Sequence, residues 1–352
     1  MATLSCDENV EYYGRRGTST TFALTEAMCE LESAAGCYVY PCGTAAITAS
    51  LLSFLSAGDH LLMVDSVYQP TREFVDGTLA RIGVKTTYYD PMIGAAIEGL
   101  IRPNTKVIFL ESPGSWTMEV QDVPTIVEIT RRHKIVSMID NTYATPFNFK
   151  PLDVGVDISI HSATKYLSGH SDTMLGLASA NQDTWKQLQA NSYQLGQCAS
   201  VDDCYTTLRG LRTLPVRMAQ HSHSALELAH WLSKHSLVDH VRHPALASCP
   251  GNEFFLRDFA GGNGLFSFVL KQFNQTALDA MLDSFTHFKM GFSWGGYESL
   301  VLGSAGFSNC RTATKWVAAG STVRLHIGLE DIEDLRDDLM QGLSVYQTHL
   351  GN

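Results

Sequence analysis

Apolar positions along this chain switch between two spacings. From Gly43 to Leu55, the residues Ala45, Ala46, Ile47, Ala49, Leu51, Leu52 and Phe54 predict a mostly buried helix. Residues 61–65, Leu-Leu-Met-Val-Asp, form a short continuous apolar run ending at Asp65, which predicts a buried strand. Lys106 to Glu111 repeat that pattern, and Ser112-Pro113-Gly114 closes the run with a strong turn signal. Val123 to Lys134 return to helical spacing through Val123, Ile126, Val127 and Ile129. Val136 to Asp140 form another apolar run, and Val156, Ile158 and Ile160 lead a further one. Strand and helix therefore alternate, which predicts an α/β fold with a mainly parallel sheet.

The last third has a different pattern. Residues 218–236 read as a helix carrying Met218, His221, Ala225, Leu226, Leu228, Ala229 and Leu232. Leu265 to Leu270 and Val323 to Ile327 are strand-like runs. Glu330 to Tyr346 reads as an amphipathic helix with Ile332, Leu335, Leu339 and Leu343 on one face. At 352 residues the chain is about twice a typical single domain. The expected organisation is a larger domain over 1–210 and a smaller α+β domain over 211–352.

Two of the apolar runs end in chemistry. One delivers a carboxylate at Asp140. The other passes through His161-Ser162-Ala163-Thr164 and delivers an amine at Lys165, 25 positions later. An acid and an amine at the ends of neighbouring strands suit pyridoxal phosphate (PLP). That cofactor needs an amine to bond its aldehyde carbon and a carboxylate to keep its pyridine nitrogen protonated.

Composition narrows the alternatives. The formal charge is −11, and the 25 Lys and Arg residues are spread along the chain. Nucleic acid and anionic membrane are therefore disfavoured as partners. No 18-residue apolar run predicts a membrane span, and the first residues lack a signal-peptide pattern. A cytoplasmic location is expected. The eight cysteines show no C-x-x-C pair and read as reduced, mostly buried thiols. His221-Ser222-His223 lacks a further ligand at metal spacing and reads as a helix face.

A phosphate needs donors. Pro41-Cys42-Gly43-Thr44 opens a helix, where free N–H groups and the helix dipole favour an anion. Gly43 permits close backbone approach, and Thr44, Ser162 and Thr164 add hydroxyls. Tyr13-Gly14-Arg15-Arg16 places two guanidiniums beside a phenol. Arg324 lies inside an apolar run, where a buried charge calls for an anion such as a substrate carboxylate.

These motifs together resemble the Cys/Met-metabolism group of PLP enzymes, fold type I. The resemblance runs from Tyr13-Gly14-Arg15-Arg16-Gly17-Thr18 to Ile327-Gly328-Leu329-Glu330-Asp331. It includes Asp140-Asn141-Thr142, Ser162-Ala163-Thr164-Lys165-Tyr166, Gly169-His170-Ser171-Asp172 and Arg209-Gly210-Leu211-Arg212-Thr213-Leu214. Ser293-Trp294-Gly295-Gly296-Tyr297-Glu298 favours carbon–sulfur β-elimination over the γ-chemistries of the group. The resemblance implies the aspartate-aminotransferase-like fold and a lyase that splits L-cystathionine into homocysteine, pyruvate and ammonia. Broader cysteine-S-conjugate lyase, γ-lyase and alanine racemase activities are the alternatives within the group.

Residue roles follow from the same resemblance. Lys165 bonds the cofactor and shuttles the Cα proton. Asp140 pairs with the pyridine nitrogen, and Tyr68 stacks on the ring. Gly43, Thr44, Ser162 and Thr164 hold the phosphate. Tyr13 and Arg15 reach the cofactor of a partner subunit, and Tyr13 and the bound cofactor are the expected agents that lower the pKa of Lys165. Arg324, Trp294, Ser293 and Arg16 meet the substrate. A homodimer is implied; a tetramer is implied less firmly, since only about a dozen residues precede Tyr13. Phe292 stands where close relatives often carry tyrosine.

Overall fold

The computed structural model describes residues 10–304 and 311–350. Helix α1 (Ser19–Glu32) precedes strand β1 (Gly36–Tyr40), and α2 (Gly43–Phe54) follows. Then come β2 (His60–Val64), α3 (Gln69–Phe74), β3 (Lys85–Tyr89), β4 (Thr105–Glu111), α4 (Val123–His133), β5 (Val136–Asp140), β6 (Ile158–Ser162) and β7 (Gly176–Ala180). These strands form one seven-stranded sheet in the order β1-β7-β6-β5-β4-β2-β3. Its pairings are parallel except that β7 runs antiparallel to both β1 and β6. Strands β2 and β7 are buried along their whole length, as in a sheet covered on both faces.

Local signals explain the boundaries. Helix α4 starts with Pro124 in its first turn and ends at Lys134, whose φ of 55° is left-handed. Its buried face is Val123, Ile126, Val127 and Ile129, as the spacing predicts. Helix α2 ends at Phe54, and the thiol of its cap Cys42 accepts a hydrogen bond from Ala45 N at 3.4 Å.

The chain continues through α5 (Trp185–Gln194), α6 (Val201–Leu211) and α7 (Leu214–Leu232). Strands β8 (Val238–Arg242), β9 (Leu265–Leu270), β10 (Lys289–Met290), β11 (Leu300–Ser304) and β12 (Thr322–His326) follow, and α8 (Ile332–Leu350) ends the described chain. They build a second sheet, ordered β10-β11-β12-β9-β8 and mostly antiparallel. Phe266, Phe268, Leu325, Leu335, Leu339 and Leu343 sit in its core. Each such fully buried side chain contributes about 1.5–3 kcal/mol.

The long helix α7 serves both cores. Leu214 and Met218 pack with Ala163 and Tyr166 beside the first sheet. Ala225, Leu228, Ala229 and Leu232 pack on the second. The helix starts before residue 218, with Pro215 in its first turn, and stops at Leu232. Helix α8 runs on to Leu350, past the expected Tyr346. No described helix is long and apolar enough to cross a membrane.

Candidate active site

Because β4, β5 and β6 are parallel neighbours, Glu111, Asp140 and Ser162 emerge along one edge of the first sheet. Glu111 and Asp140 are register partners at the ends of β4 and β5. Asp140 Oδ1 accepts from Thr142 N at 3.0 Å. Thr142 Oγ1 in turn accepts from Ser162 N at 2.8 Å, which ties the two strand exits together. Burial pushes the Asp140 carboxyl up; the Thr142 hydrogen bonds, His161 and Lys165 only partly offset it. Glu111 is buried, and its carboxyl lies well above the usual carboxylate range through burial first and the Asp140 charge second. Its Oε2 accepts from Tyr68 N at 2.8 Å. Glu111 thus holds the residue that precedes α3, and the Tyr68 phenol is exposed, its pKa raised by desolvation first and by the Asp140 and Glu111 charges next.

Lys165 lies just past β6. Burial first, and the Arg324 charge second, lower its ammonium from 10.5 to about 8, against the opposing pull of Asp140. Within one chain Arg324 is thus the charge that lowers it. Lys165 Nζ donates to Ser293 Oγ at 2.7 Å and sits 5.1 Å from the centroid of Trp294. Arg324 comes from the middle of β12 and is buried, which lowers its guanidinium to about 10. Its Nη2 donates to the Phe292 carbonyl at 2.8 Å, and the guanidinium lies 4.6 Å over Trp116. The Phe292 ring itself is exposed.

The expected phosphate donors can be tested against the backbone. A Cβ on Gly43 would stand 2.6 Å from Ser162 Cβ, so only glycine lets the start of α2 close onto the end of β6. The first N–H groups of a helix have no partner within it, so Gly43 and Thr44 open an anion cradle beside Ser162. Thr164 is placed differently. Its hydroxyl accepts from Leu175 N at 3.0 Å and donates to Leu175 O at 3.3 Å. Its proton is committed to the backbone. The cradle, the Asp140 carboxyl and the Lys165 amine fit a phosphorylated pyridine aldehyde.

Tyr13, Arg15 and Arg16 are not brought to Lys165. Arg15 donates to Tyr193 O at 3.1 Å and to Tyr193 Oη at 3.0 Å. The guanidinium carbons of Arg15 and Arg16 lie 4.1 and 3.2 Å from the Tyr193 ring centroid. Tyr13 is exposed. A pocket of 410 Å³ opens on this face, lined by Arg15, Arg16, Tyr38 and Trp185 among others and by no residue of β4, β5 or β6.

Sequence reasoning missed Glu111, Trp116, Thr142 and His326. Glu111 carried the same signal as Asp140, an apolar run stopping at a carboxylate. Trp116 left no such trace: its φ of 66° follows from the turn after β4. His221 is fully buried and donates from Nδ1 to Ile327 O at 2.8 Å, while His223 is solvated. Among the described residues no group of three His, Cys, Asp or Glu could hold a metal ion. The described cysteines are free; Cys37, Cys204 and Cys249 are buried, and Cys198 is exposed. Cys6 and Cys310 lie outside the described residues.

An amine and a carboxylate at adjoining strand ends, with an anion cradle across from them, define a PLP enzyme of the mainly parallel α/β class. The chain matches the Cys/Met metabolism PLP-dependent enzyme family over residues 3–344 and belongs to it. It is 51% identical over 336 residues to a cystathionine beta-lyase of Haemophilus influenzae, covering 94% of this chain and 85% of that one. It is 50% identical over 338 residues to cystathionine beta-lyase MetC of Escherichia coli, covering 95% and 86%. The structure of a cystathionine gamma synthase from Xanthomonas oryzae pv. oryzae, in complex with aminoacrylate and cysteine, superposes with a TM-score of 0.89 at 30% identity. That likeness covers 97% of this chain and 92% of that one.

Proposed function

We propose that this enzyme is a PLP-dependent carbon–sulfur lyase that eliminates across the Cα–Cβ bond of L-cystathionine, releasing homocysteine and leading to pyruvate and ammonia. One observation carries the reading. The Lys165 amine is held beside Asp140 and Ser293 with its pKa lowered to about 8, so a usable fraction is neutral near physiological pH. The half-identity relatives named cystathionine beta-lyase support the substrate.

The chain's own residues divide the work. Asp140 holds the pyridine nitrogen protonated. Gly43, Thr44 and Ser162 hold the phosphate, with Thr164 fixing the turn behind them. Tyr68 covers the ring face, steadied from beneath by Glu111. Arg324, backed by the Trp116 face, would take the substrate carboxylate. Trp294 and Ser293 line the pocket. Lys165 Nζ removes the Cα proton while the Cβ–S bond breaks and the thiolate leaves. Bound PLP supplies the electron sink for that step. Tyr13 and Arg15 serve a partner subunit's site, which makes the working unit at least a homodimer, with Arg16 beside the incoming substrate. The same reading takes the enzyme as cytoplasmic.

Product analysis from L-cystathionine, with PLP present, tests the proposal. Pyruvate and homocysteine are expected. α-Ketobutyrate and cysteine would replace it with a γ-lyase, and faster turnover of alanine enantiomers than of cystathionine would replace it with a racemase.

A further inference from the structure

The segment that carries Ser293 and Trp294 is held before them by Arg324, at the Phe292 carbonyl, and after them by one histidine. His326 is on β12, two residues past Arg324, and is 1% exposed. Its Nε2 accepts from Gly295 N at 3.0 Å, and its Nδ1 donates to Glu298 O at 3.0 Å. An amide N–H can only donate and a carbonyl can only accept, so these two bonds fix a single neutral tautomer. The ring thus grips both ends of residues 295–298.

That grip is set directly against the lysine. Gly295 has φ of 88°, and a Cβ there would stand 2.9 Å from Lys165 Cα and 2.8 Å from Tyr166 N. Two residues earlier, Ser293 Oγ accepts a hydrogen bond from Lys165 Nζ at 2.7 Å. The surroundings oppose a charge on the ring. His221 lies 5.3 Å away between centroids, Tyr166 lies 5.8 Å away, and Lys165 and Arg324 are the cations that face it. Glu298 turns only its carbonyl toward it. Burial first, then His221, keep His326 neutral far below ordinary histidine pH.

We infer that His326 is a positioning residue: by holding Gly295 N–H and Glu298 C=O, it fixes where Ser293 presents its hydroxyl to Lys165 Nζ. This rests on Lys165 as the working amine, and not on which sulfur compound it processes. The Ser293 oxygen accepts from the ammonium and so favours its charged form. Loss of the grip frees Ser293 and makes the amine easier to deprotonate.

The test separates the two halves of the ring. The amide of His326→Gln places an oxygen near the former Nε2 and keeps an acceptor for Gly295. The amide of His326→Asn reaches only the Nδ1 position. His326→Leu keeps neither. In the cofactor-free protein, the pH dependence of Lys165 modification by an amine-directed reagent is followed by peptide mass spectrometry. kcat and KM for L-cystathionine are measured in parallel on the loaded enzyme. The Asn and Leu variants are expected to lower the Lys165 midpoint by about one pH unit, the size of one hydrogen bond to a charged group. Their kcat is expected to fall about tenfold or more with KM less affected, while His326→Gln stays within about threefold of wild type. An unchanged midpoint in all variants overturns the inference, as does a loss shared equally by Gln, Asn and Leu that tracks melting temperature. If wild type yields no pyruvate, the lyase reading fails and the midpoint still decides the role of His326.

Discussion

In the seven-stranded sheet the ionisable groups of the site leave from strand ends: Glu111 from β4, Asp140 from β5 and Lys165 just past β6. In the five-stranded sheet Arg324 stands in the middle of β12, and Ser293 and Trp294 hang on a loop beside it. The first arrangement makes chemistry from the places where parallel strands stop and backbone groups are free. The second inserts a charge into an otherwise apolar strand, which costs desolvation unless something answers it. The two meet at one amine. Asp140 from the first sheet favours the charged form of Lys165, whereas Arg324 from the second favours the neutral form. The reacting group comes from one sheet, and the largest charge effect on it, second to burial, comes from the other.

The largest effect should come from removing the group on which both sheets act. Lys165→Ala is expected to lower kcat by about 10³-fold or more, since proton transfer and covalent attachment of the cofactor go together. Its melting temperature should stay within a few degrees of wild type, because the side chain anchors no core. Normal turnover of the variant would end the catalytic assignment and remove the meeting point of the comparison.

The next effect concerns how the two regions are joined. Asp65, at the end of β2, is buried and accepts from Arg72 Nη2 and from the backbone N of Thr312, Ala313 and Thr314. Burial alone would raise its pKa, but the Thr312, Thr314 and Arg72 hydrogen bonds outweigh that and hold it below the usual range. Asp65→Asn leaves the buried Arg72 charge without its anion and is expected to cost about 3 kcal/mol in urea unfolding. A cost under about 1 kcal/mol would show that this carboxylate does not fasten the 312–314 segment to the first sheet.

Arg324 separates binding from tuning. Arg324→Lys keeps a cation near Lys165 but loses the bidentate fork, so KM for L-cystathionine should rise about tenfold with a smaller change in kcat. Arg324→Leu should raise KM further and also move the Lys165 midpoint upward, because the second-largest cause of its depression is gone. An upward move in the Lys variant, equal to that in Leu, would mean that Arg324 acts through shape and not charge.

The same contrast explains what the sequence made legible. Asp140 and Lys165 could be read because an apolar run that stops at a polar residue marks a strand end, and strand ends in a parallel sheet share an edge. Gly43 could be read because helix starts bind anions. Glu111 carried an equal signal, but nothing in the sequence pairs it with Tyr68; that bond spans 43 positions. Trp116 and His326 act through tertiary placement, one by lying under Arg324 and the other by holding a loop. Tyr13, Arg15 and Arg16 were legible as a motif; within a single chain Arg15 and Arg16 lie on the Tyr193 ring and Tyr13 is exposed. The long helix α7 crosses from one core to the other, which no local spacing reveals.

The smallest expected effect is a stability change with pH, and it isolates the electrostatics of the junction. Lys165 holds its proton only below about 8 in the folded chain, against 10.5 for an ordinary lysine. Between those values the unfolded chain binds more protons, so folding stability rises with pH across the window. Below about 8 the full cost of burying the ammonium is present, and above 10.5 it has vanished. Lys165→Met removes that titration while keeping the volume. In the cofactor-free protein, wild-type stability minus that of the variant should therefore rise from pH 7 to pH 10.5. The full shift would be larger, but the side chain is partly exposed and solvent trims the gain to about 1–2 kcal/mol. The other lysines and the tyrosines titrate in both proteins and cancel in the difference. Repeating the pair in the Arg324→Leu background should narrow the window from its lower edge. A difference that stays flat with pH would mean that Lys165 titrates like a surface lysine, and that the second sheet lends the amine nothing.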